Sequence, residues 1–225
     1  MHQGGRPYNP YVRELIDGKR KRASSLNIQQ AKAGFKGWHE RGYLPHRDEP
    51  GLTQMVTFHL ADSFPRSLRS EWEVLLKIED CDNRRKRLQA YLDKGCGECL
   101  LRQPALARLV EGAFRFHHGA HYELIAWVVM PNHVHVLFKV GEKPMGAVIA
   151  DWKEYTAREA NKLLNRQGQL WAADFWDTFI RNPKHELQAR DYTERNPVKA
   201  RLVSAARDWP WSSARLRDAY GRLVL

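Results

Sequence analysis

Two histidines separated by a single residue are the first side chains whose type and spacing suggest chemistry. The stretch from Trp127 to Val140 is WVVMPNHVHVLFKV, in which His133 and His135 alternate with valines. Such alternation predicts a half-buried strand, in which residues two apart point to the same face. Two imidazoles side by side would form part of a metal site. The alternative is a pair of ordinary histidines on the solvated face of an edge strand.

Other strands must place this pair within a sheet. Met130-Pro131-Asn132 separates two apolar runs and consists largely of turn residues, which predicts an antiparallel hairpin. A first strand is predicted from Gln54 to Ala61; its His59 could approach a metal or simply pack in the sheet. The aromatic-rich segment from Leu170 to Arg181 is also strand-like.

The apolar spacing elsewhere predicts helices. Their ranges are Pro65 to Lys94, Pro104 to His118, Met145 to Leu164 and Lys184 to Glu194. The last helix is expected to end before Pro197, because proline disfavours helical geometry at the residue before it, Asn196. Helices that interrupt antiparallel strands predict an α+β fold with a central antiparallel sheet and helices mainly on one side.

A tyrosine and an amide near the end of the chain could complete a catalytic site. Tyr192 and Asn196 are four residues apart, about 40° around a helix, so both could face the sheet. A phenolate can attack phosphorus, and an amide oxygen can bind a cation. Tyr155 is the competing nucleophile. The alternative roles are structural, with Tyr192 as a capping aromatic residue and Asn196 as a helix terminator.

The composition favours a polyanionic partner. The 225 residues contain 37 lysines and arginines against 26 acidic residues, a formal charge of +11. Positive charge attracts phosphates, but by itself does not separate DNA from RNA or from an anionic membrane. No apolar run is long enough to span a membrane, and the polar start lacks the apolar core of a signal peptide, so a cytoplasmic location is expected.

The length is enough for one sizeable core. We expect one domain over residues 51–225 and a basic, loosely structured N-terminal extension over residues 1–50. The extension carries the cluster Lys19-Arg20-Lys21-Arg22, which could contact phosphates or form a solvated tail.

Three stretches together resemble a known family. They are WVVMPNHVHVLF around the histidines, KEYTAREANKLL at 153–164 and RDYTERNPVKARLV at 190–203. In order and spacing they are similar to the REP-associated tyrosine transposases, which belong to the single-tyrosine HUH superfamily, named for His-hydrophobic-His. The resemblance runs from about Gly51 to Arg217 and includes VTFHLADSFP, GECLLR and WPWSSARL.

This resemblance implies a ferredoxin-like HUH fold and a specific chemistry. Tyr192 matches the family nucleophile, which takes the 5′ phosphate of cleaved DNA and leaves a free 3′ hydroxyl. His133 and His135 match the metal-binding histidines, and Asn196 matches an amide, Gln in distant relatives, that can complete the site. The implied cofactor is Mg²⁺ or Mn²⁺, and the implied substrate is single-stranded or hairpin DNA in the nucleoid.

Basic and aromatic residues on the two C-terminal helices are the expected DNA contacts. They are Lys153, Tyr155, Arg158, Arg195 and Lys199. Two other functions stay open: a domesticated palindrome-binding protein whose HUH site is vestigial, and an RNA-processing phosphoesterase. The oligomeric state is open as well, and a homodimer is one of the states considered.

Overall fold

The computed structural model describes residues 26–40, 45–64 and 81–225. The basic cluster at 19–22 and much of the helix predicted over 65–94 lie outside these residues. Within the described parts of the chain, no helix is both long and apolar enough to cross a bilayer.

Eleven labelled elements follow one another along the described chain. They are α1 (Ile28–Lys32), β1 (Gly37–Glu40), β2 (Pro45–Asp48), β3 (Thr53–His59), α2 (Cys81–Leu92), α3 (Pro104–Phe116), β4 (Tyr122–Val129), β5 (His133–Val140), α4 (Met145–Leu163), β6 (Trp176–Phe179) and α5 (Pro183–Lys199). Three short 3₁₀ turns, Leu100–Arg102, Ala206–Asp208 and Ser213–Leu216, lie between or after them.

The central sheet has the order β4-β5-β3-β6, and each neighbouring pair is antiparallel. Apart from the additional helix α2, the chain from β3 to β6 follows the succession β-α-β-β-α-β of a ferredoxin-like fold, with α3 and α4 as the two crossover helices. The predicted α+β class, antiparallel sheet and ferredoxin-like arrangement are therefore confirmed. The predicted hairpin of β4 and β5 is confirmed as well.

The two faces of β5 have different partners. Val134, Val136 and Phe138 point into the main core, where α3 contributes Phe114 and α4 contributes Trp152. The residues that alternate with these, His133, His135 and Leu137, point to the opposite face of the sheet. Helix α5 packs on that second face, where its Ala189 meets Leu137.

Helices therefore cover both faces of the sheet. The prediction of helices mainly on one side describes α3 and α4, the crossover helices. It does not describe α5, which lies on the histidine face. Hydrophobic spacing shows that a helix has one apolar side, but not which face of a sheet that side covers.

Helix α5 also continues further than predicted. It runs through Asn196 and Pro197 to Lys199, so the prediction that it ends near Glu194 is wrong. Proline lacks an N–H, which removes a single helical bond to the carbonyl four residues earlier. The N–H groups of Ala200 and Leu202 still bond to Asn196 O and Pro197 O at 2.9 Å, so the last turn closes.

The described part of the predicted N-terminal extension packs against the domain. Strands β1 and β2 form an antiparallel hairpin, and Phe35 and Trp38 are buried. Asp48 Oδ1 accepts a bond from Met145 N at 2.9 Å, at the start of α4. Residues 26–40 and 45–50 therefore do not have the loose structure that the sequence suggested. For the other residues of the N-terminal extension, the domain boundary at residue 50 stays a prediction.

One glycine after β5 gives a test of how closely the chain is packed. A Cβ on Gly141 would lie 2.3 Å from His121 O and 2.9 Å from His121 C, and both atoms are backbone that cannot easily move. We expect Gly141→Ala to lower the free energy of unfolding by about 1–3 kcal/mol, as overpacking typically does. Urea denaturation measures this change.

Gly112→Ala is the matched control. Gly112 lies within α3, and a Cβ there meets nothing within 4 Å. Alanine should stabilise the protein by up to about 1 kcal/mol through helix propensity. Equal unfolding midpoints for both variants would contradict this description of the turn.

Candidate active site

The proton on His133 is placed by its neighbour in the hairpin turn. His133 Nδ1 lies 2.8 Å from Asn132 Oδ1. The Nδ2 of Asn132 donates to Leu92 O and Cys96 O, each at 3.2 Å, so its Oδ1 must be the atom that faces the imidazole. His133 Nδ1 therefore carries the proton and donates it, which leaves a lone pair on Nε2.

His135 has the same arrangement with different partners. Its Nδ1 is 2.7 Å from Thr57 Oγ1, on the neighbouring strand β3. Its Nε2 is 3.2 Å from Asn196 Nδ2, which can only donate. Nε2 therefore accepts, and Nδ1–H donates to Thr57. Orientation of one ring nitrogen by a polar neighbour is typical of metal-binding histidines.

Burial keeps both rings neutral. It lowers the pKa of His135 to about 3, with the charge of Lys199 as a smaller cause. It also lowers the pKa of His133 well below 6.5, and His135 and His59 add to that shift. Neutral imidazoles with lone pairs on Nε2 are the form that binds metal ions.

Asn196 contributes a buried oxygen to the same place. Its Oδ1 is buried and has no hydrogen-bond partner among the described residues. A 180° rotation of the Asn196 amide would exchange Oδ1 and Nδ2, so that Oδ1 would face His135 Nε2. A carbonyl oxygen left without a partner is costly, and a bound cation would satisfy it.

The donor set therefore fits a divalent ion in type. It consists of two imidazole nitrogens, whose ring centroids are 4.9 Å apart, and one amide oxygen. Imidazole and oxygen donors accept Mn²⁺, and the oxygen donor also suits Mg²⁺. In the described residues, no three His, Cys, Asp or Glu side chains group closely enough to hold a metal, so the amide is needed.

Tyr192 lies beside the histidines. Its ring centroid is 5.6 Å from that of His135, and the two rings are inclined by 72°. Lys199 Nζ is 5.3 Å from the Tyr192 ring centroid, although the residue lies about two turns further along α5. The structure thus brings together the four residues predicted for catalysis and metal binding: His133, His135, Tyr192 and Asn196.

The C-terminal segment holds α5 in this position. Glu194 Oε1 accepts bonds from Arg217 Nη2 at 2.7 Å and from Ser213 Oγ at 2.6 Å. Ser213 Oγ in turn accepts from Trp127 N at 3.0 Å. This network joins α5 to the free edge of β4, and so fixes the tyrosine relative to the sheet.

The five expected DNA contacts fall into two groups. Arg195 and Lys199 are exposed on α5, the helix that carries Tyr192. Lys153, Tyr155 and Arg158 lie on α4, whose buried side covers the other face of the sheet.

The α4 group lies across the sheet from the two histidines. Lys153 Nζ donates to Ala173 O at 2.9 Å, and Arg158 Nε donates to Glu159 at 2.8 Å. Tyr155 is 44% exposed. The sequence predicted the helix that carries these residues but could not place that helix relative to the sheet. Whether any of the five contacts DNA stays a prediction.

His59 is packed in the sheet, which was one of its two predicted roles. It pairs with His133 across the β3–β5 ladder, but its Nδ1 is 2.7 Å from Leu60 O. Its ring stacks on Trp176 at a centroid distance of 5.2 Å. Burial lowers its pKa to about 4.

Two polar residues near His133 were missed by sequence reasoning. Gln89 Nε2 is 3.3 Å from His133 Nε2, and Asp93 Oδ1 is 4.0 Å from the same nitrogen. Gln89 Nε2 also donates to Asp93 Oδ1 at 2.6 Å. The only signal in the sequence is a Gln and an Asp four residues apart at a helix end, which is a weak one.

Comparisons with known proteins show which families this chain resembles. Residues 100–181 match the profile of a family described as "Transposase IS200 like"; they include His133 and His135 but end before Tyr192. A putative REP-associated tyrosine transposase from Haemophilus influenzae is 30% identical over 41% of this chain and 58% of its own length. A REP-associated tyrosine transposase from Escherichia coli K12 is 34% identical over 41% of this chain and 54% of its own length.

The matched part of the chain thus spans rather more than half the length of these two curated relatives. This chain also resembles a solved structure of a REP-associated tyrosine transposase bound to a REP hairpin. The match includes 80% of this chain and 84% of that protein. Its TM-score is 0.48 and its sequence identity 20%. The chain is similar to the REP-associated tyrosine transposases, which confirms the resemblance seen in its motifs.

Proposed function

We propose that this protein is a metal-dependent enzyme that nicks and rejoins single-stranded DNA at hairpins, through a 5′-phosphotyrosine intermediate. The observation that carries the proposal is the position of the Tyr192 ring, 5.6 Å from a buried, neutral His135 whose Nε2 adjoins Asn196. The proposed nucleophile and the proposed metal donors therefore lie on one face of the sheet.

In this mechanism Tyr192 Oη attacks the phosphorus of the scissile phosphodiester. The new bond joins Oη to phosphorus, and the bond from phosphorus to the 3′ oxygen breaks. The phenol loses its proton, and the leaving oxygen gains one to become a free 3′ hydroxyl. Because the phosphotyrosine ester conserves the bond, attack by a 3′ hydroxyl in the reverse direction rejoins a strand and frees Tyr192.

The neighbouring residues prepare this step. Lys199 Nζ lies 5.3 Å from the centre of the Tyr192 ring, so a positive charge lies close to the proposed nucleophile. His133, His135 and Asn196 would hold the divalent ion, which when bound would polarise the phosphate and offset its developing charge. Thr57 and Asn132 orient the two imidazoles.

The choice of DNA rests on charge and on the relatives. A formal charge of +11 suits a phosphate backbone. Both curated relatives are named as REP-associated tyrosine transposases, and we extend a DNA-processing role to this chain on that similarity. A DNA substrate also implies a nucleoid-associated protein, as expected from the sequence.

A nicking assay tests the proposal. The purified protein is incubated with end-labelled single-stranded DNA that carries a hairpin, with Mn²⁺, with Mg²⁺ or with EDTA. We expect cleavage only with metal, and more of it on the hairpin than on an unstructured strand of equal length. Hairpin binding without cleavage would favour the palindrome-binding alternative, and cleavage of RNA in preference to DNA would favour the phosphoesterase.

The placement of the basic residues gives a second test. Arg195→Ala on α5 should weaken hairpin DNA binding and reduce the slope of log affinity against log salt by about 1, as loss of one phosphate contact does. Arg158→Ala removes the same side chain from α4, on the other side of the molecule, and should leave the slope unchanged. Fluorescence anisotropy over a series of salt concentrations measures both.

Equal slopes for the two variants would contradict the α5 face as the DNA-binding surface. A smaller slope for Arg158→Ala alone would move that surface to α4.

A further inference from the structure

The carboxylate of Asp93 faces the metal donors from a helix outside the His-hydrophobic-His motif. Asp93 follows α2 directly, and its Oδ1 is 4.0 Å from His133 Nε2. Between them lies the amide of Gln89, whose Nε2 is 3.3 Å from His133 Nε2 and 2.6 Å from Asp93 Oδ1. We propose that Asp93 is the anionic group of the metal site and that Gln89 positions it, an inference that rests on the proposed function.

The end of α2 is fixed to the histidine strand by specific bonds. Asn132 Nδ2 donates to Leu92 O and to Cys96 O, on either side of Asp93. The same side chain accepts the Nδ1 proton of His133 through its Oδ1. One amide therefore sets both the tautomer of the imidazole and the place of the loop that carries the carboxylate.

Asp93 would supply the negative charge that the three other donors lack. His133, His135 and Asn196 are all neutral, whereas Mg²⁺ and Mn²⁺ are hard cations that prefer carboxylate oxygens. The Asp93 side chain is 20% exposed, so most of its charge is removed from water. A divalent ion that displaces the Gln89 N–H from His133 Nε2 would face that carboxylate through a bound water.

Gln89 explains how the site stays stable before an ion binds. Its Nε2 donates to the lone pair of His133 and to the Asp93 oxygen, so both acceptors have a partner. Asn196 Nδ2 does the same for His135. The Nε2 atom of each imidazole thus accepts one amide hydrogen bond that an ion can replace.

Mn²⁺ affinity, followed by electron paramagnetic resonance on the full chain without DNA, tests the inference separately from activity. Asp93→Asn keeps the shape of the side chain and removes its charge. We expect Mn²⁺ to bind about 10- to 100-fold more weakly, the usual effect of removing a supporting group of a metal site. Asp93→Glu keeps the charge and should retain more of the affinity than Asn does.

Asp151→Asn on α4 is the matched control, since Asp151 pairs with Lys143 away from the histidine face. It should bind Mn²⁺ like the unchanged protein. Thermal unfolding checks that each variant is folded, and Asp93→Ser serves as a second replacement if Asn does not fold.

Unchanged Mn²⁺ affinity in folded Asp93→Asn or Asp93→Ser would overturn the inference. If His135→Ala abolishes Mn²⁺ binding in the same series, only the role of Asp93 fails. If the unchanged protein binds Mn²⁺ with Asp93 contributing as expected but does not nick DNA, the proposed function fails and the metal site stands. No measurable Mn²⁺ binding by the unchanged protein would overturn both.

Discussion

Tyr192→Phe is expected to abolish the covalent protein–DNA adduct while leaving the protein folded and able to bind hairpin DNA. The change removes one oxygen and keeps the ring, which lies 5.6 Å from the His135 ring and beneath Lys199. Without Oη there is no atom to attack phosphorus, so nicking should fall by more than about 1,000-fold. Denaturing gel electrophoresis of labelled DNA with protein measures the adduct.

Tyr155→Phe is the control for this prediction. Tyr155 is 44% exposed on α4, the helix that covers the other face of the sheet. Its phenylalanine variant should form adduct at the level of the unchanged protein. Adduct formation by Tyr192→Phe, or its loss in Tyr155→Phe, would contradict the assignment of the nucleophile.

His135→Ala and His133→Ala are expected to abolish cleavage with little effect on DNA affinity. Each imidazole is buried, and each presents an Nε2 lone pair where an ion would bind. Loss of either leaves one imidazole and weak oxygen donors, too few for firm binding. We expect nicking to fall by at least about 100-fold at a fixed Mn²⁺ concentration, and anisotropy to report hairpin binding within about twofold.

His117→Ala provides the comparison. His117 lies just after α3, stacked on His121 at the far end of the hairpin from His133. Its removal should leave both cleavage and DNA binding unchanged. Full activity in folded His135→Ala would exclude the paired imidazoles from the reaction.

Local patterns predicted where the main candidate residues lie, because these residues follow two simple periodicities. Alternation put His133 and His135 on one face of β5, opposite to Val134 and Val136. The four-residue spacing of Tyr192 and Asn196 put both on the sheet-facing side of α5. Both inferences concern residues close together in the chain.

The parts that were missed depend on contacts between distant residues. Asn132 is 40 residues from Leu92, yet its amide fixes the end of α2 beside His133. Gln89 is 44 residues from that histidine. Nothing in the spacing of either segment indicates that they meet, because the meeting depends on how α2 packs on the finished sheet.

Pro197 illustrates a different limit. A proline normally marks the end of a helix, and here that rule placed Asn196 at the end of α5. In the structure the loss of one backbone bond in the last turn is tolerated, since the following N–H groups still find helical acceptors. Asn196 is consequently held inside the helix and fully buried against His135.

The most direct test of the central claim is to map the residue that carries the DNA. The unchanged protein is reacted with a hairpin-bearing strand in Mn²⁺, digested with nuclease and protease, and analysed by mass spectrometry. We expect the nucleotide remnant on the peptide that contains Tyr192, attached through a 5′ phosphate. A remnant on Tyr155, or cleavage with no covalent remnant at all, would contradict the phosphotyrosine mechanism at the His133–His135 site.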